Sequence, residues 1–166
     1  MSPTRPRLAT AADAKAINAI YNHYVRTSAA TFQVEDETTD EREAELRTRP
    51  PNQPLTVLEV DGEIAGWGAL SPFKSRCAYR DTIELSIYVR EDCHRRGYGR
   101  VIVQDLVQRA STSGYHSIVA ASCEESIGSI ALLKSLGFHE AGRLREVGSK
   151  FGRRLDVVYL QLMLRE

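Results

Sequence analysis

A mixed α/β fold is the class this sequence predicts, on three observations. Two apolar runs, Leu55–Val60 and Glu63–Ser71, are joined by Asp61-Gly62, the strongest short hairpin signal in the chain, so the sheet begins with antiparallel neighbours. After Arg80 the pattern turns to strand, helix, strand, helix, strand, which makes the sheet mixed. At 166 residues, 42% hydrophobic and 27% charged, the chain is long enough to bury one real core, and residues 1–166 are expected to form one domain.

Arg5–Ala9 opens the chain as a short strand. Thr10 with Asp13 supplies an N-cap and an acidic first turn, and Ile17, Ile20, Tyr21 and Tyr24 share one face of the helix that follows. The loop from Arg26 to Thr39 carries Thr31 and Phe32; the ring reads either as an anchor packed on the core or as a substrate contact. Thr38 and Glu41 stand at capping-box spacing, and their helix ends before Pro50-Pro51 because the residue before a proline disfavours helical geometry. Pro72–Tyr79, PFKSRCAY, is a basic and aromatic connection. Its Lys74 and Arg76, with Arg80 beyond, are either solvated charges or attractors of a carboxylate or phosphate. A strand to Val89 and a glycine turn come next, then a helical stripe of Val103, Leu106, Val107 and Ala110 that stops at Gly114. Ser117–Cys123 has the continuous apolar centre of a buried strand. A helix from Ser126 to Leu136 places Ile127, Ile130 and Ala131 on one face, with Gly137 as its stop. Strands at Gly142–Val147 and Leu155–Leu164 flank the connection SKFGRR.

Lysine plus arginine and aspartate plus glutamate both number 22, so no global basic excess recommends nucleic acid as a partner. Cys77, Cys93 and Cys123 are odd in number and lack CxxC spacing, which argues against a zinc site and for reduced thiols in a cytoplasmic protein. No apolar run approaches the roughly 20 residues a membrane helix needs. The start MSPTRPRLATAADAKA lacks the hydrophobic core of a signal peptide.

Chemistry concentrates in Arg80–Arg100, RDTIELSIYVREDCHRRGYGR. Alternation puts Ile83, Leu85, Ile87 and Val89 on one strand face and Glu84, Ser86 and Tyr88 on the other. The strand then delivers the chain to His94-Arg95-Arg96-Gly97-Tyr98-Gly99-Arg100 at a helix start. Glycines let backbone amides approach an anion, first-turn amides have no partner inside the helix, and the dipole adds roughly 0.3–1 kcal/mol. Alone, such a turn is also what a tight bend with solvated arginines looks like, and a lone strand glutamate is commonly a surface residue.

The HRRGYG stretch resembles the acetyl-CoA motif of the GNAT superfamily of N-acetyltransferases, with His94 where the family usually has Gln or Arg. The chain is more particularly similar to the phosphinothricin and methionine sulfone (methionine sulfoximine) N-acetyltransferases. The shared segments are IYNHYV (Ile20–Val25), Thr31-Phe32, YRDTIELSIYV (Tyr79–Val89), SLGF (Ser135–Phe138) and VGSKFGRRLDV (Val147–Val157). The resemblance implies a single-domain GNAT fold: a mixed, mostly antiparallel twisted sheet, flanked by helices and split near the acetyl-CoA site. It implies that main-chain groups of Ile87, Tyr88 and Val89 meet the pantetheine arm and thioester, and that Arg95, Arg96, Gly97, Tyr98, Gly99 and Arg100 cradle the pyrophosphate. It implies too that Ser126, which opens the following helix, contacts the cofactor. Glu84 matches the general base. Phe32, Arg76 and Tyr79 fall in segments that line the amino-acid pocket, with Lys150, Phe151 and Arg153 nearby. The family resemblance also implies a homodimer.

Amide formation explains the need for a base. A lysine-like amine has a pKa of roughly 10.4 and a peptide α-amine roughly 8, so an α-amine is the easier nucleophile to deprotonate. A positioned carboxylate adds typically about 10²–10⁴-fold. Three further positions depart from the family. Ser126 and Leu133 stand where relatives commonly have Asn and a His or Tyr, and Arg154 stands where they commonly have Trp. Leu133 cannot protonate a leaving thiolate, so coenzyme A leaves as thiolate, takes a proton from water, or takes one from a group such as Ser126 or Tyr88. The expected activity is acetyl transfer from acetyl-CoA to the α-amine of a small amino acid or analogue. The alternatives are a peptide or protein N-acetyltransferase, which needs an open groove, and a catalytically weak acetyl-CoA-binding module.

Overall fold

The computed structural model describes residues 5–165. One seven-stranded sheet runs in the order β1-β2-β3-β4-β5-β7-β6. Its strands are β1 (Arg7–Leu8), β2 (Leu55–Val60), β3 (Glu63–Pro72), β4 (Thr82–Val89), β5 (Ser117–Cys123), β6 (His139–Lys150) and β7 (Arg153–Met163). Four helices cover it: α1 (Ala14–Thr27), α2 (Thr39–Thr48), α3 (Tyr98–Thr112) and α4 (Ile127–Ser135). Every pairing is antiparallel except β4 with β5. The mixed sheet is therefore as expected.

Each face of the sheet buries its own core. Leu70, Ile83, Leu85, Ile118 and Leu160 pack under Ile102 and Leu106 of α3 and Leu133 of α4. On the opposite face Ile17 and Ile20 of α1 pack on Leu55, Val57 and Trp67. A side chain at Gly68 would meet Leu106 at 2.7 Å and Ile102 at 2.8 Å. That bare patch lets α3 sit close on β3, which sets its N-terminus beside the end of β4. Thr38 caps α2 as expected: its hydroxyl accepts from the Glu41 amide, and Glu41 accepts from the Thr38 amide.

Three elements differ from the sequence expectation. The opening strand shrinks to Arg7–Leu8. In the C-terminal hairpin β6 is longer than expected at both ends, and Phe151-Gly152 form a two-residue turn with φ of 53° and 71°. Nothing on β6 up to Val147 is buried, so this edge strand carries no alternation to read, and two register shifts further blur it. On α4, Ile127 is 75% exposed while Leu133 is 1% exposed. The helix is apolar all round, so periodicity selects no face and the expected stripe of Ile127, Ile130 and Ala131 is not the buried one.

Candidate active site

The parallel pair β4–β5 lasts for three rungs, Thr82↔Ser117, Ile83↔Ile118 and Glu84↔Val119. Beyond Glu84 the two strands part, while β4 stays zipped to β3 as far as Gly66↔Val89. The Arg90 amide donates to Ala65 at 2.8 Å. In an antiparallel ladder that fixes the parity: Glu84, Ser86 and Tyr88 spend their main-chain groups on β3, and Leu85, Ile87 and Val89 turn theirs toward the split. This corrects one expectation. The main chain of Tyr88 is paired with Trp67, so of the expected trio only Ile87 and Val89 turn main-chain groups to the split, and the Val89 carbonyl already accepts from Tyr24.

The split opens into a cleft of about 830 Å³. Leu85–Val89 form one wall, Ala120–Ser122 of β5 the other, and the glycine turn and the start of α4 close the far side. At the turn Arg95 and Gly97 take positive φ, 62° and 82°, which aims the start of α3 at the cleft. The first bond back into the turn is from Val101 to the Gly97 carbonyl, so the amides of Tyr98, Gly99 and Arg100 have no helical partner. Arg95, Gly97, Tyr98, Gly99, Arg100 and Ser126 line the cleft; Arg96 is exposed and does not. The Arg100 guanidinium also donates to Ser135 at 2.7 Å. These amides and the open strand edge together fit a ligand that carries both a pyrophosphate and an extended amide arm.

Tyr24 was legible only as a core residue of α1, yet its hydroxyl reaches the cleft and donates to the Val89 carbonyl. His94 Nε2 lies 2.7 Å from that hydroxyl and 3.1 Å from the same carbonyl. Burial, with Glu91 nearby, pushes the Tyr24 phenol up to about 12, so it remains a donor at neutral pH. The shared segment Ile20–Val25 was the sequence signal for it.

Glu84 stands at the fork, where β4 leaves β5. It is half-buried, and among the described residues no protein hydrogen bond to its carboxylate is formed. Desolvation raises its pKa, and Lys74 offsets part of that. A carboxylate with a raised pKa and free lone pairs is suited to accept a proton. Beside it the Tyr88 ring packs on Trp67 and Tyr21 at centroid distances of 4.9 and 5.2 Å.

None of Phe32, Arg76, Tyr79 and Lys150 lines the 830 Å³ cleft. Phe32 is a core anchor on Ala29, Cys123 and Leu155. Arg76 and Tyr79 are exposed in the connection before β4, where Tyr79 packs edge-on to Phe73 at 5.7 Å. Lys150, expected at the substrate, is instead 4% exposed and donates to the carbonyls of Ser28 and Thr31 at 2.7 and 2.8 Å. Phe151 and Arg153 do line the cleft, and Arg153 pairs with Glu125, which lines it too. Leu133 forms part of the cleft floor and of the core at once. Among the described residues no group of three or more His, Cys, Asp or Glu is placed to hold a metal ion, and no helix is long and apolar enough to cross a membrane.

A family model described as the acetyltransferase (GNAT) domain matches residues 7–159. The L-amino acid N-acyltransferase MnaT of Escherichia coli K12 is 35% identical over 161 residues, 96% of this chain and 94% of that protein. The L-methionine sulfoximine/L-methionine sulfone acetyltransferase of Salmonella typhimurium is 36% identical over 161 residues, 96% and 94% of the two chains. Among solved structures, a GNAT superfamily phosphinothricin acetyltransferase from Sinorhizobium meliloti in complex with acetyl-CoA superposes with a TM-score of 0.92 at 31% identity, covering 96% of this chain and 88% of that one. A split sheet, an amide-lined helix start and relatives matched over nearly their full length agree: the chain belongs to the GNAT acetyltransferase family.

Proposed function

We propose that this acetyltransferase moves acetyl from acetyl-CoA to the α-amine of a small amino acid or analogue, of the phosphinothricin and methionine sulfoximine or sulfone type, by direct attack with Glu84 as general base. The observation that carries the reading is the position of Glu84 at the fork of β4 and β5, beside the strand edge that Ile87 and Val89 turn to the split. Acetyl-CoA supplies an activated thioester carbonyl. The strand edge pairs with its amide arm, and the amides of Tyr98, Gly99 and Arg100 with Arg95 hold its pyrophosphate. An edge amide, Ile87 or Val89, then faces the carbonyl oxygen on which charge develops. Glu84 takes the amine proton directly or through one water, and no covalent enzyme intermediate is formed.

The same reading makes the protein a cytoplasmic, single-domain homodimer. Its three cysteines are free thiols. The outermost strand β6 exposes Leu144 and Val147 at 46% and 55%, an apolar edge that a second copy would cover. Light scattering reads that state.

The test is coenzyme A release from acetyl-CoA with a panel of amino acids, methionine sulfone, phosphinothricin and short peptides. Turnover with free α-amines is expected. Turnover confined to peptides reassigns the acceptor, and acetyl-CoA binding with no turnover on any amine overturns the enzyme reading.

A further inference from the structure

One corner of the cleft is closed by an element from the far face of the sheet. Ile17 and Ile20 of α1 pack on the face opposite α3, yet the end of α1 reaches the last rung of β4, where Tyr24 lines the cleft. Two consecutive residues of α1 hold the connection that leads from β4 to α3. His23 pairs with Glu91 at 2.8 Å. The Tyr24 hydroxyl donates to the Val89 carbonyl, and His94 Nε2 lies 2.7 Å from that hydroxyl and 3.1 Å from that carbonyl. The Tyr24 and His94 rings are nearly parallel, 12° apart. A single cluster therefore joins α1, the last residue of the strand edge and the first residue of HRRGYG.

The bonding fixes where the hydrogens are. Tyr24 has one hydroxyl hydrogen and the Val89 carbonyl takes it, so the approach of His94 Nε2 is a bond only if that nitrogen carries a hydrogen and donates to the Tyr24 oxygen. The neutral Nε2–H tautomer and the imidazolium both meet this condition, so the tie does not depend on the charge of His94. Glutamine and arginine, which the family resemblance implies at this position, also carry N–H groups. The tie needs an N–H, not a cation.

What lies on either side of the tie gives it a use. Behind it is the β4 edge of Ile87 and Val89, which suits an extended amide arm; ahead of it are the amides of Tyr98, Gly99 and Arg100, which suit a pyrophosphate. The connection between the two holds one short 3-10 turn, Glu91–Cys93, and puts Arg95 and Gly97 at positive φ, so its own regular structure does little to fix the spacing of its ends. A ligand that is covalently one piece gains from two seats only where their spacing matches its own. Resting on the reading of these seats as the places of the amide arm and the pyrophosphate of acetyl-CoA, we infer that Tyr24 and His94 are positioning residues that set the distance between the two seats. They govern affinity for the whole acetyl donor and not for either half. Glu84 stands roughly 16 Å back along β4 at the ordinary strand rise, so the tie is remote from the proposed proton transfer.

Tyr24→Phe, His94→Ala and His94→Gln test this with three ligands: acetyl-CoA, pantetheine as the arm alone, and ADP as the pyrophosphate alone. In Tyr24→Phe and His94→Ala the Kd of acetyl-CoA should rise about five- to twentyfold, with those of pantetheine and ADP within about twofold of wild type. His94→Gln, which restores an N–H, should stay within about threefold of wild type for all three. Tyr24→Phe combined with His94→Ala should lose little more than either alone, because both act through one carbonyl. Hydrogen–deuterium exchange over 90–97 should rise in the two disrupting variants. Unchanged acetyl-CoA affinity, a loss shared in full by pantetheine or ADP, or a glutamine variant as impaired as the alanine overturns the inference. So does tighter pantetheine binding in Tyr24→Phe, which would mean that the hydroxyl merely fills an acceptor the arm could use. Pantetheine and ADP that fail to compete with acetyl-CoA in the wild type sink the assignment of the seats instead, and exchange over 90–97 then still decides whether the tie holds strand to turn.

Discussion

Gly148→Ala is a one-methyl perturbation that strikes the Phe32 ring. Gly148 lies on β6 opposite Leu155, where the strand pair fixes its backbone. A methyl there would stand 2.6 Å from Cδ2 and 2.7 Å from Cζ of the Phe32 ring, and nearer still to Cε2. Carbon atoms at rest keep about 3.5–4.0 Å, so the ring must leave its slot. It then gives up its packing on Ala29, Cys123 and Leu155. Overpacking of this kind costs about 1–3 kcal/mol, which for a chain of this size lowers Tm by about 2–12 °C. Phe32 adjoins Thr31, whose carbonyl Lys150 holds, so displacement of the ring is transmitted to the connection between α1 and α2. If about 1 kcal/mol of the loss is felt in amine binding, the acceptor KM rises about fivefold. Thermal melts and steady-state kinetics measure both quantities. In a Phe32→Ala background the same substitution has nothing to strike, and its cost should fall to near zero. A full, additive cost in that background would refute the reasoning.

Other expectations concern the base and the cradle. Glu84→Gln should lower turnover near neutral pH by about 10²–10⁴-fold, partly recovered at high pH, with acetyl-CoA affinity unchanged; an unaffected rate rejects Glu84 as the base. The same variant has a stability signature. Because burial raises the folded-state pKa of Glu84, its ionised form is a burden above that pKa, and stability is regained as pH falls through it. The variant should therefore melt above wild type at about pH 8, with the gap closing toward about pH 4, and a lower Tm at the alkaline end counts against that environment. Gly97→Ala forces a side chain into a left-handed turn at φ 82°, costing roughly 1–2 kcal/mol, and Gly99→Ala places a methyl 3.0 Å from Leu132. Both should raise the acetyl-CoA KM and spare the acceptor KM; isothermal titration with coenzyme A that finds no change in either variant removes the cradle.

How much of this was legible depended on which physical signal each part leaves. The Asp61-Gly62 hairpin, the α2 capping box and the glycine turn are local chemistry, and each appears where its residues placed it. The parity of β4 was half legible: alternation gave the side-chain faces, and the complementary fact, that Tyr88 has no free main-chain groups, follows only once β3 is known to be its partner. The bonds that Lys150 and Tyr24 make were not legible, for a common reason. A lysine in a basic segment reads as a surface charge or a ligand contact, and a tyrosine on an apolar helix face reads as core. Their true partners lie 119 and 65 residues away in the chain. Long-range side chain to backbone bonds leave no periodic trace, so only the fold could assign them.

The leaving thiolate gives a last prediction. Leu133 occupies the cleft floor at 1% exposure and belongs to the core, so a side chain without an ionisable group stands where the family resemblance implies an acid. Of the hydroxyls that line the cleft, Ser126 is a far weaker acid than a thiol, and the phenols of Tyr24 and Tyr88 are poor donors to a thiolate. Tyr24 donates to Val89, and the Tyr88 phenol, beside Thr31, is held protonated by burial well above its usual range. A thiol of ordinary pKa, about 8.5, nevertheless leaves as thiolate near pH 7.5 at a cost of only about 1.4 kcal/mol, which a proton donor is not required to cover. Arg95 and Arg100 at the cleft, with the open amides of α3, favour the anion further. The pH profile of kcat/KM should therefore show rising limbs alone, from Glu84 and the substrate amine, and level off toward about pH 9. Leu133→Tyr should leave the alkaline plateau without a new falling limb only if the added hydroxyl takes no part. A bell-shaped wild-type profile with a falling limb below about pH 9 would show that some group in this cleft does act as the acid, and would overturn departure as free thiolate.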